Sequence, residues 1–188
     1  MKKILLTTAA AILVIAPSTQ ATGDGFFAKV NLGYSQLNKA KGLKAKKAMS
    51  FGIGAGSYIM DNVRADLTFD HFVKPTFKSN NKKITGEVNT LLLNGFIDVF
   101  DISLINVFVG AGIGGSQVKA KTDGDNDKAK QKYNAACALY LGSSIEFAPK
   151  IHAELAYSYR IMGKTKSIKN QSVNFKGHNL SAGLRLDI

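Results

Sequence analysis

Few residues in this chain carry reactive chemistry, and their spacing argues against using it. His152 and Glu154 are two apart, which on a strand puts a base and an orienting carboxylate on one face. A hydrolase would add a serine nucleophile within reach, and no Ser completes that set. His178 and Ser181, three apart, fall on opposite faces of a strand. Gly110-Ala111-Gly112-Ile113-Gly114-Gly115 has the glycine density of a dinucleotide loop. Such a loop opens a helix whose N-terminus holds the phosphate, whereas these glycines lie inside an alternating run. Asp123-Gly124-Asp125-Asn126-Asp127 begins like a calcium loop, but Lys128 stands where Gly is needed and Asn134 where the closing Glu belongs. Its Asp-Gly step reads better as a hairpin tip. One Cys (Cys137) and three scattered His (His71, His152, His178) offer neither a disulfide nor metal-ligand spacing. No catalytic residue, cofactor or metal is expected.

The chemistry that remains is electrostatic. Lys and Arg number 25 against 13 Asp and Glu, a formal net charge of +12, and 45% hydrophobic content excludes a disordered polycation. Four stretches, 38–47, 74–86, 119–132 and 163–176, hold 18 of the 25 basic residues, and all 18 are Lys. The candidate ligand-binding residues are Lys39, Lys41, Lys44, Lys46, Lys47, Lys78, Lys82, Lys83, Lys119, Lys121, Lys128, Lys130, Lys132, Lys164, Lys166 and Lys169. The only acids in these stretches are Asp123, Asp125 and Asp127, so together they carry 18 − 3 = +15. A field focused in this way draws polyanions or acidic proteins and quickens their encounter. The competing reading is a solvated rim that only neutralises lipopolysaccharide phosphates, since Lys binds many anions with little selectivity. No nucleic-acid partner is expected.

The elements that must position these lysines are strands. Lys2 and Lys3, the apolar run Ile4–Ala16, and Thr19-Gln20-Ala21 form a signal-peptide pattern, with cleavage expected after Ala21 and a barrel domain over 22–188. From Phe26 onward, apolar residues recur with period two. The first strand sets Phe26, Ala28, Val30, Leu32 and Tyr34 against Lys29, Asn31, Gly33 and Ser35. The second sets Met49, Phe51, Ile53, Ala55 and Ile59 against Ser50, Gly52, Gly54 and Gly56. The third sets Val63, Ala65, Leu67, Phe69 and Val73 against Arg64, Asp66, Thr68 and Asp70. The fourth is less regular, with Leu91, Leu93 and Ile97 opposing Thr90, Leu92, Asn94 and Phe96. The fifth sets Ile105, Val107, Val109, Ala111 and Ile113 against Gly110, Gly112, Gly114 and Ser116. The sixth sets Ala135, Cys137, Leu139, Leu141, Ile145 and Phe147 against Tyr140, Gly142, Ser144 and Glu146. The seventh sets Ile151, Ala153, Leu155, Tyr157, Tyr159 and Ile161 against His152, Glu154, Ser158 and Arg160. The eighth sets Leu180, Ala182, Leu184, Leu186 and Ile188 against Ser181, Gly183, Arg185 and Asp187.

None of the apolar-face positions holds a charge, and the opposite faces are too small and too mixed to be a solvated exterior. A soluble sandwich would show water a heavily charged face. An all-β, eight-stranded antiparallel up-and-down transmembrane barrel, apolar outward and polar inward, fits instead. Arg64, Arg160 and Arg185 would lie in the lumen with Asp66, Asp70, Glu146, Glu154 and Asp187 as candidate partners, because a buried ion needs one. Inward glycines on the second and fifth strands would make room for the arginines. Tight links at Met60-Asp61-Asn62, Phe100-Asp101-Ile102-Ser103 and Ala148-Pro149-Lys150 alternate with the four lysine-rich stretches, the pattern of periplasmic turns and extracellular loops. Ser181, Gly183, Leu186 and Ile188 form a polar-x-Gly-x-x-apolar-x-apolar terminus resembling the signal read by the barrel-assembly machinery.

Ala153-Glu154-Leu155-Ala156-Tyr157-Ser158, Gly163-Lys164-Thr165-Lys166-Ser167 and His178 through Ile188, with weaker support from Arg64-Ala65-Asp66-Leu67-Thr68 and Gly110 to Gly114, resemble the rickettsial adhesin family of opacity-porin-type barrels. The likeness spans most of the mature chain and is strongest over its last 36 residues. The chain departs from the commonest form of the assembly signal by ending in Ile rather than Phe. The resemblance implies an outer-membrane barrel that attaches a bacterium to host cells and captures host serum or matrix protein, such as vitronectin, through its loops. Three readings follow: a lysine-loop adhesin; a structural barrel that bridges lipopolysaccharide; and a lipid-modifying barrel enzyme. The first is the expectation carried forward.

Overall fold

A computed structural model describes residues 25–37, 44–45, 47–73, 76–79, 82–102, 105–122, 130–164 and 174–188. The expected signal segment 1–21 lies outside these residues. The strands are β1 (Phe26–Leu37), β2 (Lys44–Ala45), β3 (Lys47–Met60), β4 (Val63–Val73), β5 (Thr76–Ser79), β6 (Lys82–Ile102), β7 (Ile105–Thr122), β8 (Lys130–Ala148), β9 (Ile151–Lys164) and β10 (Asn174–Asp187). Eight of them close a ring, β1-β3-β4-β6-β7-β8-β9-β10, with β10 returning to β1 and each neighbour antiparallel. The short β2 and β5 extend the sheet beside β6. Closure leaves no barrel edge unpaired, which a chain in hydrocarbon requires because no water there can satisfy backbone groups.

Register aligns the two faces sharply. Leu184, Val30, Ile53, Phe69 and Leu91 are successive ladder partners across five strands, and all five are exposed on the outside. On β7 the outward positions free of polar side chains run from Ile105 to Gly115, with Gln117 the first polar one, ten residue steps. On a strand tilted about 40° that rises on the order of 25 Å, the height of a barrel's apolar band. The inside is the inverse of a soluble core: Arg64, Asp66, Asp70, Asn94, Arg160 and Arg185 are buried.

Two-residue turns join β3 to β4 at Asp61-Asn62 and β8 to β9 at Pro149-Lys150. Lys150 has φ of 65°, the left-handed position that follows a turn-starting proline. Its N–H donates to Glu146 Oε1 at 3.2 Å, and its carbonyl accepts the Asp187 N–H at 2.8 Å. Ile188 N–H donates to the Phe26 carbonyl at 2.8 Å, tying the last residue to the first strand.

The strands run further than the hydrophobic alternation indicates. β6 and β7 stay paired out to Ile84–Thr122, and β7 and β8 out to Ala120–Lys130, so parts of the stretches expected to be loops are ladder. These stretches carry no period-two hydrophobic signal in the sequence, although the backbone pairing continues through them.

Candidate functional site

The lumen is packed in tiers. At the end bearing the short turns, Arg185 Nη1 donates to Glu154 Oε1 at 2.6 Å and its Nε to Asp187 Oδ1 at 3.2 Å. Asp187 also meets His152 Nε2 at 2.8 Å and accepts the Tyr58 hydroxyl at 3.2 Å. Arg64 Nη1 donates to Asp98 at 2.6 Å, and its Nη2 lies 3.5 Å from Glu154. Its guanidinium lies over Phe108 and Phe96, at 4.6 and 5.2 Å from the ring centroids. In the middle tier Lys29 Nζ pairs with Asp66 at 2.5 Å, and Thr68 and Asn94 donate to the other Asp66 oxygen at 2.8 and 2.6 Å. Above them Arg160 Nη1 donates to Asp70 Oδ2 at 2.6 Å, and its Nε to Ser158 at 3.1 Å.

Past Arg160 the interior turns apolar. Phe72, Val88, Val118, Met162 and Phe175 are all within 2% of full burial and close the lumen toward the long hairpins. The middle tier holds a cavity of about 30 Å³, lined by Lys29, Thr68, Tyr140, Glu154 and Arg160 among others. That is room for about two waters. Among the described residues four interior cations (Lys29, Arg64, Arg160, Arg185) face five carboxylates (Asp66, Asp70, Asp98, Glu154, Asp187), with His152 beside the fifth. The lumen is thus close to neutral, and the chain's excess positive charge lies elsewhere.

Several expected placements differ. Glu146 is not beside the arginines; it is exposed at the β8–β9 turn, holding the Lys150 N–H. A Cβ at Gly52 would first meet Asp70 and Asn31, one at Gly56 would meet Ala65 and Phe27, and one at Gly110 would meet Phe96. These glycines admit carboxylates and aromatic rings rather than the arginines themselves. Lys29 and Asp98 entered no sequence-based pairing. Lys29 was legible as a cation on the polar face of its strand, and Asp98 shares the alternation of Asn94 and Phe96 just before the ladder shifts at Asp98/Phe100.

His152 and Glu154 do face inward, but they are held by Asp187 and by Arg185 and Arg64. His178 lies outside, its Nδ1 in contact with the Tyr157 hydroxyl. Among the described residues no group of three or more His, Cys, Asp or Glu could hold a metal. Cys137 is exposed on the outer face. Ser181 donates to the Ala156 carbonyl at 3.3 Å, while Leu186 and Ile188 face outward.

The outer apolar band ends in a polar row. His71 and Asn89 contact at 2.6 Å, Asn89 donates to Gln117 at 3.3 Å, and Gln117 donates to the Tyr133 hydroxyl at 3.0 Å, crossing four strands in register. Two of the candidate lysines, Lys119 and Lys132, stand just beyond that collar. Lys132 is exposed and Lys119 half-buried. The backbones of Lys44, Lys47, Lys78, Lys82, Lys83, Lys121, Lys130 and Lys164 lie in strands, and Lys39, Lys41, Lys46, Lys128, Lys166 and Lys169 fall outside the described residues.

Residues 6–186 match the family model described as "Outer membrane protein beta-barrel domain". A Rickettsia conorii protein named "Putative adhesin" is 40% identical over 182 aligned positions, covering 81% of this chain and 73% of the relative. A Rickettsia bellii protein of the same name is 36% identical over 233 positions, covering all of both chains. Among solved structures, Neisserial surface protein A superposes with a TM-score of 0.71 at 17% identity, covering 88% of this chain and 98% of that one. Ail of Yersinia pestis, in complex with the heparin analogue sucrose octasulfate, gives 0.54 at 11% identity, covering 88% and 100%. At such identities these two likenesses speak for the fold alone.

Proposed function

The chain belongs to the outer membrane protein beta-barrel domain family, and from that premise we propose that it is a non-enzymatic surface adhesin whose lysine-rich hairpins bind acidic or sulfated host-surface molecules. The observation that carries this reading is the separation of charge. The lumen balances its ions, while the four long connections hold 18 Lys against 3 Asp. A barrel filled by its own side chains offers no conduit, so its contact with the surroundings is made at its ends. The end with short turns and both termini faces the periplasm in this reading, and the lysine end faces outward. Residues 1–21 direct export, and the Ser181-to-Ile188 terminus recruits the assembly machinery. The collar of His71, Asn89, Gln117 and Tyr133 meets lipid headgroups and lipopolysaccharide.

The relatives' shared adhesin name supports a role in attachment, and Ail's complex with a heparin analogue shows a polyanion analogue bound to a barrel of similar fold. A serum or matrix protein of the vitronectin kind would be held through its acidic segments. The test is attachment of bacteria that display the barrel with Lys39, Lys41, Lys128, Lys166 and Lys169 changed to Glu. Reversing five charges changes the rim by ten units, and attachment to host cells should fall about tenfold near 0.1 M salt. Attachment of the unmodified barrel should itself weaken as salt rises. Unchanged attachment by the variant, or salt-independent attachment, contradicts the reading.

A further inference from the structure

On β10 and at the residue after it, the outward positions Leu180, Leu184, Leu186 and Ile188 are exposed and apolar. His178 stands ten residues above Ile188, roughly 25 Å along the axis at a tilt of about 40°, so it marks the upper edge of the apolar band. Lys176 lies two residues further on the same face, about 5 Å higher, where lipid headgroups begin. Gln36 is the ladder partner of His178 on β1 and is exposed beside it.

These side chains form an unsatisfied set of donors. The His178 ring is clasped by two tyrosines, its centroid 5.8 Å from that of Tyr157 and 5.1 Å from that of Tyr159. Its Nδ1 meets the Tyr157 hydroxyl. Whichever of the two donates in that contact, one donor of the pair is left for the surroundings, His178 Nε2–H or Tyr157 O–H. Hydrocarbon offers no acceptor, so a lipid oxygen at the edge of the band must supply one. Lys176 and Gln36 meet no side-chain partner among the described residues. Among those residues no acid occupies the outer face of β1, β9 or β10, and the connections 38–47 and 163–176 that flank this wall contain none in the sequence. Lys119, outward above the band on β7, differs in facing Glu87 across its ladder.

We propose that Lys176, His178 and Gln36 form a docking site on the barrel's outer wall for the phosphate of a lipopolysaccharide molecule. The site goes beyond the adhesin reading and shares with it only the outward orientation of the lysine end. Height selects a lipid: a polyanion dissolved in water reaches Lys176, but not a donor at the edge of the hydrocarbon. Charge selects the headgroup. A zwitterionic phospholipid brings an ammonium, which Lys176 repels and which finds no carboxylate on this wall. A phosphorylated glycolipid brings phosphate and sugar oxygens without an ammonium, and exposed Leu180 and Ile161 offer apolar surface to its acyl chains below. Lys176 and His178 are about 6.8 Å apart along the strand, and Gln36 is about 4.8 Å from His178 across the ladder. One phosphate and its sugar ring cover that span. Tyr157 and Tyr159 alone would be the aromatic belt of any barrel interface; the uncompensated cation above them makes this wall selective.

The test is native mass spectrometry of the refolded full-length barrel in detergent, titrated with lipid A. The double variant Lys176→Gln/His178→Phe is compared with Lys119→Gln, which removes the same formal charge from the wall at β7. The double variant should bind lipid A about tenfold more weakly than the unmodified barrel, and the control should stay within about twofold. Lipid A stripped of its phosphates should bind the unmodified barrel as weakly as intact lipid A binds the double variant. Equal losses in the two variants overturn the site. Phosphatidylglycerol or phosphatidylethanolamine bound as tightly as lipid A overturns it too. So does a heparin oligosaccharide whose binding falls as far in the double variant, since that would put these residues in the aqueous rim. Folding is read as the heat-dependent electrophoretic shift of an intact barrel. Should the double variant fail to fold, Lys176→Gln alone should still lose about fivefold, and a loss under about twofold overturns the site. The readout needs no host cell, so its failure leaves the adhesin reading to the attachment test, and failure of attachment leaves this site standing.

Discussion

Arg160→Met is expected to destabilise the folded barrel by about 3–5 kcal/mol, the cost of leaving a buried charge without its partner. Asp70 is fully buried, its Oδ2 accepts the Arg160 guanidinium at 2.6 Å, and its Oδ1 accepts no hydrogen bond among the described residues. Removing the arginine therefore strands the whole carboxylate beneath the apolar cap, next to Phe72 and Tyr140, over whose rings the guanidinium now lies at 5.6 Å. The double variant Asp70→Leu/Arg160→Met should recover most of the loss, since an apolar pair of similar volume often replaces a buried ion pair at little cost. Urea unfolding in lipid vesicles, followed by tyrosine fluorescence, measures both. A single-variant loss under about 1 kcal/mol would mean that Asp70 is reached by water, and the cap would then not seal the lumen.

Leu139→Arg is expected to cost about 2–4 kcal/mol in the same assay, the depth-dependent cost of a cation on a barrel's lipid face. Leu139 is 63% exposed, with Ala111 and Tyr159 as its ladder neighbours. It stands midway along β8 between collar residue Tyr133 and Phe147 at the turn. On a soluble surface a leucine this exposed could become arginine with a change within about 0.5 kcal/mol. The two environments therefore differ severalfold for one substitution. Lys132→Arg, at an exposed position beyond the collar, keeps the charge and should be close to neutral in either case.

The architecture was legible in the sequence wherever the two strand faces meet different media. Val30, Ile53, Phe69 and Leu184 must be apolar because hydrocarbon surrounds them, and Arg64, Asp66 and Asp70 sit one step away on the other face. That contrast imposes period two and makes strands, register and barrel closure readable. It fails where both faces meet the same medium. The outer reaches of β6, β7 and β8 carry no such alternation in their sequence, so Lys82 to Gly86 and Lys119 to Thr122 read as loop although they are ladder. The apolar cap of Phe72, Val88 and Phe175 was missed for the opposite reason: apolar residues on the inner face look like a fault in the alternation. Pairing partners were the least readable feature. Arg64 finds Asp98 on the adjacent strand, Lys29 finds Asp66 two strands away and Arg160 finds Asp70 on the far side of the ring, and a strand's sequence says which face a charge takes but not how far around the ring its partner stands.

The same contrast underlies the proposed function: the lumen pairs its ions among the described residues, so the adhesin reading assigns binding to the lysine-rich stretches of the sequence and not to the pore.

The chain's one cysteine permits a direct test of where its outer face resides. Cys137 is exposed on β8, between Ile113 and Ile161 and four residues inside collar residue Tyr133, roughly 10 Å below it along the axis. A nitroxide attached to Cys137 in the barrel reconstituted into vesicles should collide often with dissolved oxygen, which concentrates in hydrocarbon, and rarely with a water-soluble nickel chelate. Frequent nickel collisions at that label, equal to those of a label at position 132, would show that water bathes this face and would contradict the membrane-spanning barrel on which everything above rests.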